Sequence, residues 1–198
     1  MQKYKLDKFE IKNINGNEKK LYRIKALKDF SDVKNGEIGG LVESENNLSQ
    51  EGSCWIYGDA IVIENALVQG NARITSNATI SKNALIDDDA VVGGHAIVTD
   101  ISEVYENAYV GDNAKILGAS LIGGYSRCLE DNVFKNKKIE YKLTNEEKEK
   151  LKEQTALMEE MFGEDINTVL HDFRLDHNKD NTLTKLIDLF KVLEKLEK

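Results

Sequence analysis

The residues of this chain with the means to do chemistry are three histidines, two cysteines and a scatter of arginines, lysines and tyrosines. An imidazole titrates near neutral pH, so it can take a proton from a nucleophile or ligate a metal. His95 stands in Gly93-Gly94-His95-Ala96, while His171 and His177 lie far downstream. A zinc site needs its ligands to converge, and the two downstream histidines cannot join His95 in such a set. Asp176, Asn178 and Asp180 occupy the first, third and fifth positions of a calcium loop. Asn181, however, stands where the turn glycine belongs, and Ile187 replaces the bidentate glutamate. That stretch is read as a polar loop between helices, and no metal is expected. Arg73, Lys115 and Arg127, with Lys82, are the cations available for an anionic ligand, and Tyr105 and Tyr109 complete the candidate binding set.

A six-residue repeat must position these side chains. Ile56, Val62, Val68, Ile74, Ile80, Ile86, Val92, Val98, Val104, Val110, Ile116 and Ile122 are all Ile or Val. Four places further along, Ala60, Ala66, Ala72, Ala78, Ala84, Ala90, Ala96, Ser102, Ala108, Ala114, Ser120 and Ser126 are all Ala or Ser. A β-branched residue every sixth position marks the centre of a short buried strand. A small residue four places on can point inward only where a coil turns a tight corner. The residue before it is usually Asn or Asp, as at Asp59, Asn65, Asn71, Asn77, Asn83, Asp89, Asn107 and Asn113. Those types tolerate positive φ and bond their own backbone, so they are expected to form the corners. Three corners close a triangular turn of 18 residues, and successive turns stack about 4.8 Å apart. The twelve hexads therefore predict about four full coils.

The pattern resembles the hexapeptide-repeat, left-handed β-helix proteins, with Val110-Gly111-Asp112-Asn113-Ala114 an especially typical hexad. Gln50-Glu51-Gly52-Ser53-Cys54-Trp55 reads as a degenerate thirteenth hexad, which puts Cys54 in the small inward slot as a core residue. Upstream, Tyr22-Arg23-Ile24-Lys25-Ala26-Leu27, Asp32-Val33-Lys34-Asn35-Gly36, Gly39-Gly40 and Leu48-Ser49-Gln50 are similar to the lead-in of small bacterial and phage-encoded members of that group. Those members imply the fold and a phage or prophage setting, and no activity. The wider family implies acyl transfer, with a histidine as general base toward a hydroxyl or amine, usually on a loop that breaks out of the coil. Here no loop protrudes from the twelve hexads, and His95 is read as a corner substitution for Asn.

The chain has 198 residues and a net charge of −8, which argues against a grip on nucleic-acid backbone. No run of apolar residues is long enough to span a membrane, the first residues lack the apolar core of a secretory signal, and two cysteines make no disulfide framework. A cytoplasmic location is expected, that of the host cell if the chain is phage encoded. Proline is absent, which suits laddered backbone in which each lost N–H breaks a rung.

Residues 4–12 and 19–27 read as strands of a hairpin turned at Asn13-Ile14-Asn15-Gly16-Asn17, placed over the open N-terminal end of the coil. From Leu143 the period becomes helical. Thr144-Asn145-Glu146-Glu147 is a capping box, and Leu151, Thr155, Met158 and Phe162 share one face. Ile166 to Phe173 suggest a second helix and Leu183 to Leu196 a third. The expected class is mainly β: a left-handed parallel β-helix with an N-terminal hairpin cap over 1–49, the coil over 50–134, and a linker with a helical unit over 135–198.

Outward positions of two coil faces carry Ile61, Ile63, Ile97 and Leu117, then Leu67, Leu85, Tyr105 and Leu121. Solvated faces should not hold so many large apolar groups, so something is expected to cover them: either the faces meet in a homotrimer, the favoured reading, or the C-terminal helices lie across them. The functional expectation is a non-catalytic binding or inhibitory protein that captures a host target, a defence protein or a nucleotide messenger, with no cofactor. The alternatives are an acyltransferase using acetyl-CoA, with His95 as base, and a purely structural module.

Overall fold

The computed structural model describes residues 2–14, 16–150 and 152. The second and third expected helices, His171, His177 and the calcium-like loop lie outside them. The chain divides into two units, Met1–Leu143 and Thr144–Lys198.

The first unit is the expected mainly β solenoid of parallel stacked coils. β1 (Tyr4–Ile14) and β2 (Asn17–Ala26) pair antiparallel, and at their turn Asn13 Oδ1 accepts the N–H of Gly16. β2 pairs antiparallel with β3 (Ile38–Val42), which in turn runs parallel to Ile61–Val62. The hairpin thus extends one sheet edge to edge and pairs with the otherwise open first rung. Three faces follow. Face A stacks β3, Ile61–Val62, Thr79–Ile80, Ile97–Val98, Lys115–Leu117 and Val133–Lys135. Face B stacks Trp55–Ile56, Arg73–Ile74, Val91–Val92, Tyr109–Val110 and Arg127–Cys128. Face C stacks Leu67–Val68, Leu85–Ile86, Glu103–Val104, Leu121–Gly124 and Lys138–Tyr141.

The solenoid makes about six turns rather than about four. At its start β3 forms a rung without the hexad pattern, because Gly39 and Gly40 sit so close to Ile56 that a β-carbon on either would collide with it. At its end the repeat slips: Leu121 pairs with Lys138, 17 positions on, and Phe134 packs on the core where the column elsewhere has Ile or Val.

Inside, the Ile and Val column and the Ala column are fully buried along the whole stack, a close-packed core with room at each corner for one methyl group. The corners differ from the sequence expectation. Positive φ recurs every sixth residue from Gly52 to Asn136, one place before the Asn or Asp column, at Glu64, Ser76, Lys82, Asp88, Asp100, Glu106 and Asp112 among others. Acidic side chains at this position accept the N–H of the corner residue one coil on: Glu64 from Lys82, Asp88 from Glu106, Asp100 from Gly118, Glu106 from Gly124 and Asp112 from Glu130. The Asn and Asp side chains instead ladder along the outside, Asn65 to Asn83, Asn71 to Asp89 and Asn113 to Asp131.

The first coil is closed by polar groups that the repeat gives no hint of. Buried Asn47 accepts the N–H of Glu43 and Ser44 and donates to the carbonyls of Glu64 and Ala66. Tyr4 Oη donates to the carbonyls of Glu45 and Leu48. In the second unit the capping box is formed: Glu147 N–H donates to Thr144 Oγ1, and Thr144 N–H to Glu147 Oε2.

Candidate functional site

Face B and the corner that joins it to face A gather most of the chemically capable side chains. The outward column of face B reads Trp55, Arg73, Val91, Tyr109 and Arg127. Its upper half is closed by the segment after β2. Phe30 packs edge-on against Trp55 at 5.5 Å between ring centroids. Tyr57 Oη donates to both carboxylate oxygens of Asp32, at 2.9 and 3.0 Å. Burial first, and then the Asp32 carboxylate, raise the Tyr57 phenol well above its usual range. Arg73 donates to the Ser31 hydroxyl at 3.1 Å and lies 3.9 Å from Asp32. Half-buried Arg73 is therefore committed to holding this segment. On the same face the hydroxyl of Thr75, 1% exposed, has no hydrogen-bond partner among the described residues.

The lower half of face B is built differently. The Tyr109 ring lies over Gly111, where a β-carbon would collide with it. The guanidinium of Arg127 stacks on that ring, 4.8 Å from its centroid. Arg127 is exposed and forms no ion pair among the described residues. Thus Arg73, Tyr109 and Arg127 share one face. Lys115 opens face A, exposed, and Tyr105 lies on face C with its ring against Gly123. The candidate binding set is split over three faces.

His95 stands exposed at the corner between faces B and A, following Gly94 with its positive φ. Its N–H donates to the carbonyl of Asp112. In its column, the Asn113 side chain bonds Asp131, whereas the His95 imidazole has no hydrogen-bond partner among the described residues. Lys115 begins face A one coil further on, opposite Ile97. An exposed, unpartnered imidazole can accept a proton. The residues that this corner needs were legible as types. What the sequence concealed was the Asp32–Tyr57–Arg73 cluster, since no spacing rule links a loop residue to a strand some forty positions away.

Of the apolar outward residues, Ile63 is buried against Leu21 and Leu41, and Ile61 and Ile14 pack on that cluster. Ile97 and Leu117 on face A, and Leu67, Leu85 and Leu121 on face C, stay half-buried. Among the described residues no group of three or more His, Cys, Asp and Glu is placed to hold a metal, and no helix is long and apolar enough to cross a membrane.

No protein-family model matches the chain. A stretch of 49 residues is 45% identical to a protein of Escherichia coli (strain K12) described as the uncharacterized acetyltransferase YdcK. It takes in 24% of this chain, and the chain covers 15% of that protein's length. The similarity corrects the expectation that the chain is not an enzyme, because the protein it resembles is described as an acetyltransferase. Neither the fold nor this similarity carries the expected phage setting or host-defence target.

Proposed function

We propose that this solenoid belongs to an acyltransferase, with the corner between faces B and A as the reacting site and His95 as general base. The observation that carries the reading is the imidazole of His95, exposed and without a hydrogen-bond partner among the described residues, whereas Asn113, one coil further on in the same column, is tied to Asp131. The short stretch shared with a protein described as an acetyltransferase supports the same class of reaction.

In this reading His95 takes the proton from a hydroxyl or amine of the acceptor. The acceptor atom then attacks the carbonyl carbon of an acyl thioester, the carbon–sulfur bond breaks, and the leaving sulfur takes the proton from the His95 imidazolium to depart as the thiol. Lys115 and Arg127, both exposed and without ion-pair partners among the described residues, suit the phosphates of a coenzyme A donor. The half-buried Ile97, Leu117, Leu67, Leu85 and Leu121 suit a homotrimer, in which a neighbouring subunit would close the corner into a cleft.

The test is thiol release from acetyl-CoA with a panel of amines and sugars, run on the wild-type chain and on His95→Ala, beside thermal shift with coenzyme A alone. A stabilising shift in both proteins, with turnover only in the wild type, is the expected result. No shift with coenzyme A, or equal turnover in His95→Ala, would overturn the assignment.

A further inference from the structure

At the mouth of the coil the amine of Lys3 lies 3.2 Å from the sulfur of Cys54. Both residues are 0% exposed. Long cationic side chains are almost never fully buried without a specific partner, and Lys3 has several. Its Nζ also approaches the carbonyls of Cys54 at 3.0 Å, Glu51 at 3.0 Å and Gly52 at 3.4 Å. The phenyl ring of Phe30 lies 5.4 Å away. These contacts hold the nitrogen against the sulfur of a residue 51 positions further along the chain.

We propose that Lys3 and Cys54 form an oxidative modification site, at which peroxide joins the lysine nitrogen to the cysteine sulfur in a reversible sulfenamide bridge. In the ammonium–thiolate form of the pair, the Cys54 sulfur attacks one oxygen of hydrogen peroxide. The O–O bond breaks, the sulfur is oxidised by two electrons to the sulfenic acid, and the peroxide is reduced. The hydroxide set free takes a proton from the Lys3 ammonium and becomes water, which leaves the amine neutral beside the oxidised sulfur. The Lys3 nitrogen then attacks that sulfur, the S–O bond breaks, and the departing oxygen leaves as a second water with the proton lost from nitrogen. A sulfenic acid condenses with nitrogen in this way when the nitrogen is held against it.

Cys128 supplies the comparison within the same molecule. It is 1% exposed and has no amine beside it among the described residues. Burial raises its thiol to about 11. Burial also raises the Cys54 thiol, but there the Lys3 cation pulls against it, while burial lowers the Lys3 amine. The thiolate is the reactive form, so the two cysteines should part company under oxidation.

The experiment treats the full chain with hydrogen peroxide, blocks residual thiols and maps tryptic peptides by tandem mass spectrometry. The expected product joins the peptide carrying Lys3 to the one carrying Cys54, two hydrogens lighter than the sum, and returns to the starting masses with a thiol reductant. It should form unchanged in Cys128→Ser and be absent from Cys54→Ser and Lys3→Arg. Oxidation of wild-type Cys54 to sulfinic or sulfonic acid without the joined peptide would overturn the proposal, as would an unreacted Cys54 in folded protein. The wild type is read directly, so neither result depends on any variant folding.

Discussion

The carboxylate of Asp112 accepts the backbone N–H of Glu130 at 2.9 Å, one coil further on, and both residues occupy the left-handed region, at φ 52° and 62°. Each corner of this solenoid needs one residue in a conformation that costs an L-residue roughly 1–2 kcal/mol. An acidic side chain at that place offsets part of the cost by taking the next corner's N–H.

Substitution at this position should separate the two effects. Asp112→Ala loses the acceptor and keeps the strain, and is expected to cost about 1 kcal/mol in urea denaturation. Asp112→Gly loses the same acceptor but relieves the strain, so it should lie close to the wild type. Equal costs for the two would show that backbone strain is not the controlling quantity.

The interior tolerates change in neither direction. Ile80→Ala empties a fully buried slot and is expected to cost about 2–5 kcal/mol. Ala78→Val adds two methyl groups to a corner that one carbon already fills, at about 1–3 kcal/mol. Thermal unfolding of both variants measures this, and a neutral Ala78→Val would mean that the corners are not close-packed.

Asn47 should prove as important as the apolar core around it. Its amide satisfies two backbone donors and two backbone acceptors in full burial. Asn47→Asp keeps the shape but sets a carboxylate against the carbonyls of Glu64 and Ala66, which lose their donor. About 2–3 kcal/mol of stability should go with it near neutral pH. The loss should shrink as pH falls and the new carboxyl takes up a proton.

Arg23 bonds Glu10 across the hairpin and ties the hairpin to the coil through Asp59 and the carbonyl of Gly58, each at 2.7 Å. The hydrogen bond from Arg23 lowers the carboxyl of Glu10, with Lys12 assisting, and likewise that of Asp59. Carboxyls held below their ordinary range stabilise the fold above that range, and the contribution is lost as pH falls through the depressed values. Wild type should therefore melt above Arg23→Ala at neutral pH, and the gap should begin to close below about pH 4 and vanish once the depressed carboxyls are protonated. A gap that persists in acid would assign the stabilisation to packing of the arginine stem instead.

At the proposed reacting corner the expected outcome is a split between stability and turnover. His95 is exposed and its imidazole has no hydrogen-bond partner among the described residues, so His95→Ala should keep the wild-type stability within about 0.5 kcal/mol. Loss of acyl transfer without loss of fold would mark a chemical role.

How much of this molecule could be read in advance depended on whether a feature repeats. The β-solenoid, its inward Ile and Val column and its Ala corners were legible because one physical demand recurs every six residues, from Ile56 to Ser126. The corner assignment went one place astray because Asn and Asp suit left-handed backbone as types, yet here they build the outer ladder, and Glu64, Asp100 and Asp112 take the strained place. A local preference yields where the neighbouring coil offers an N–H to be satisfied.

By itself, then, the sequence determined the class of fold, the direction of each repeat side chain and the position of His95 at a corner. The tertiary structure alone decided the non-repeating parts. β3 became a rung, Arg73 was drawn into the cluster with Ser31 and Asp32, Asn47 closed the first coil, and Lys3 came to rest on Cys54. Each of these joins residues far apart in the chain, and only folding brings them within reach of one another. A periodic pattern is written locally; a single long-range contact is not.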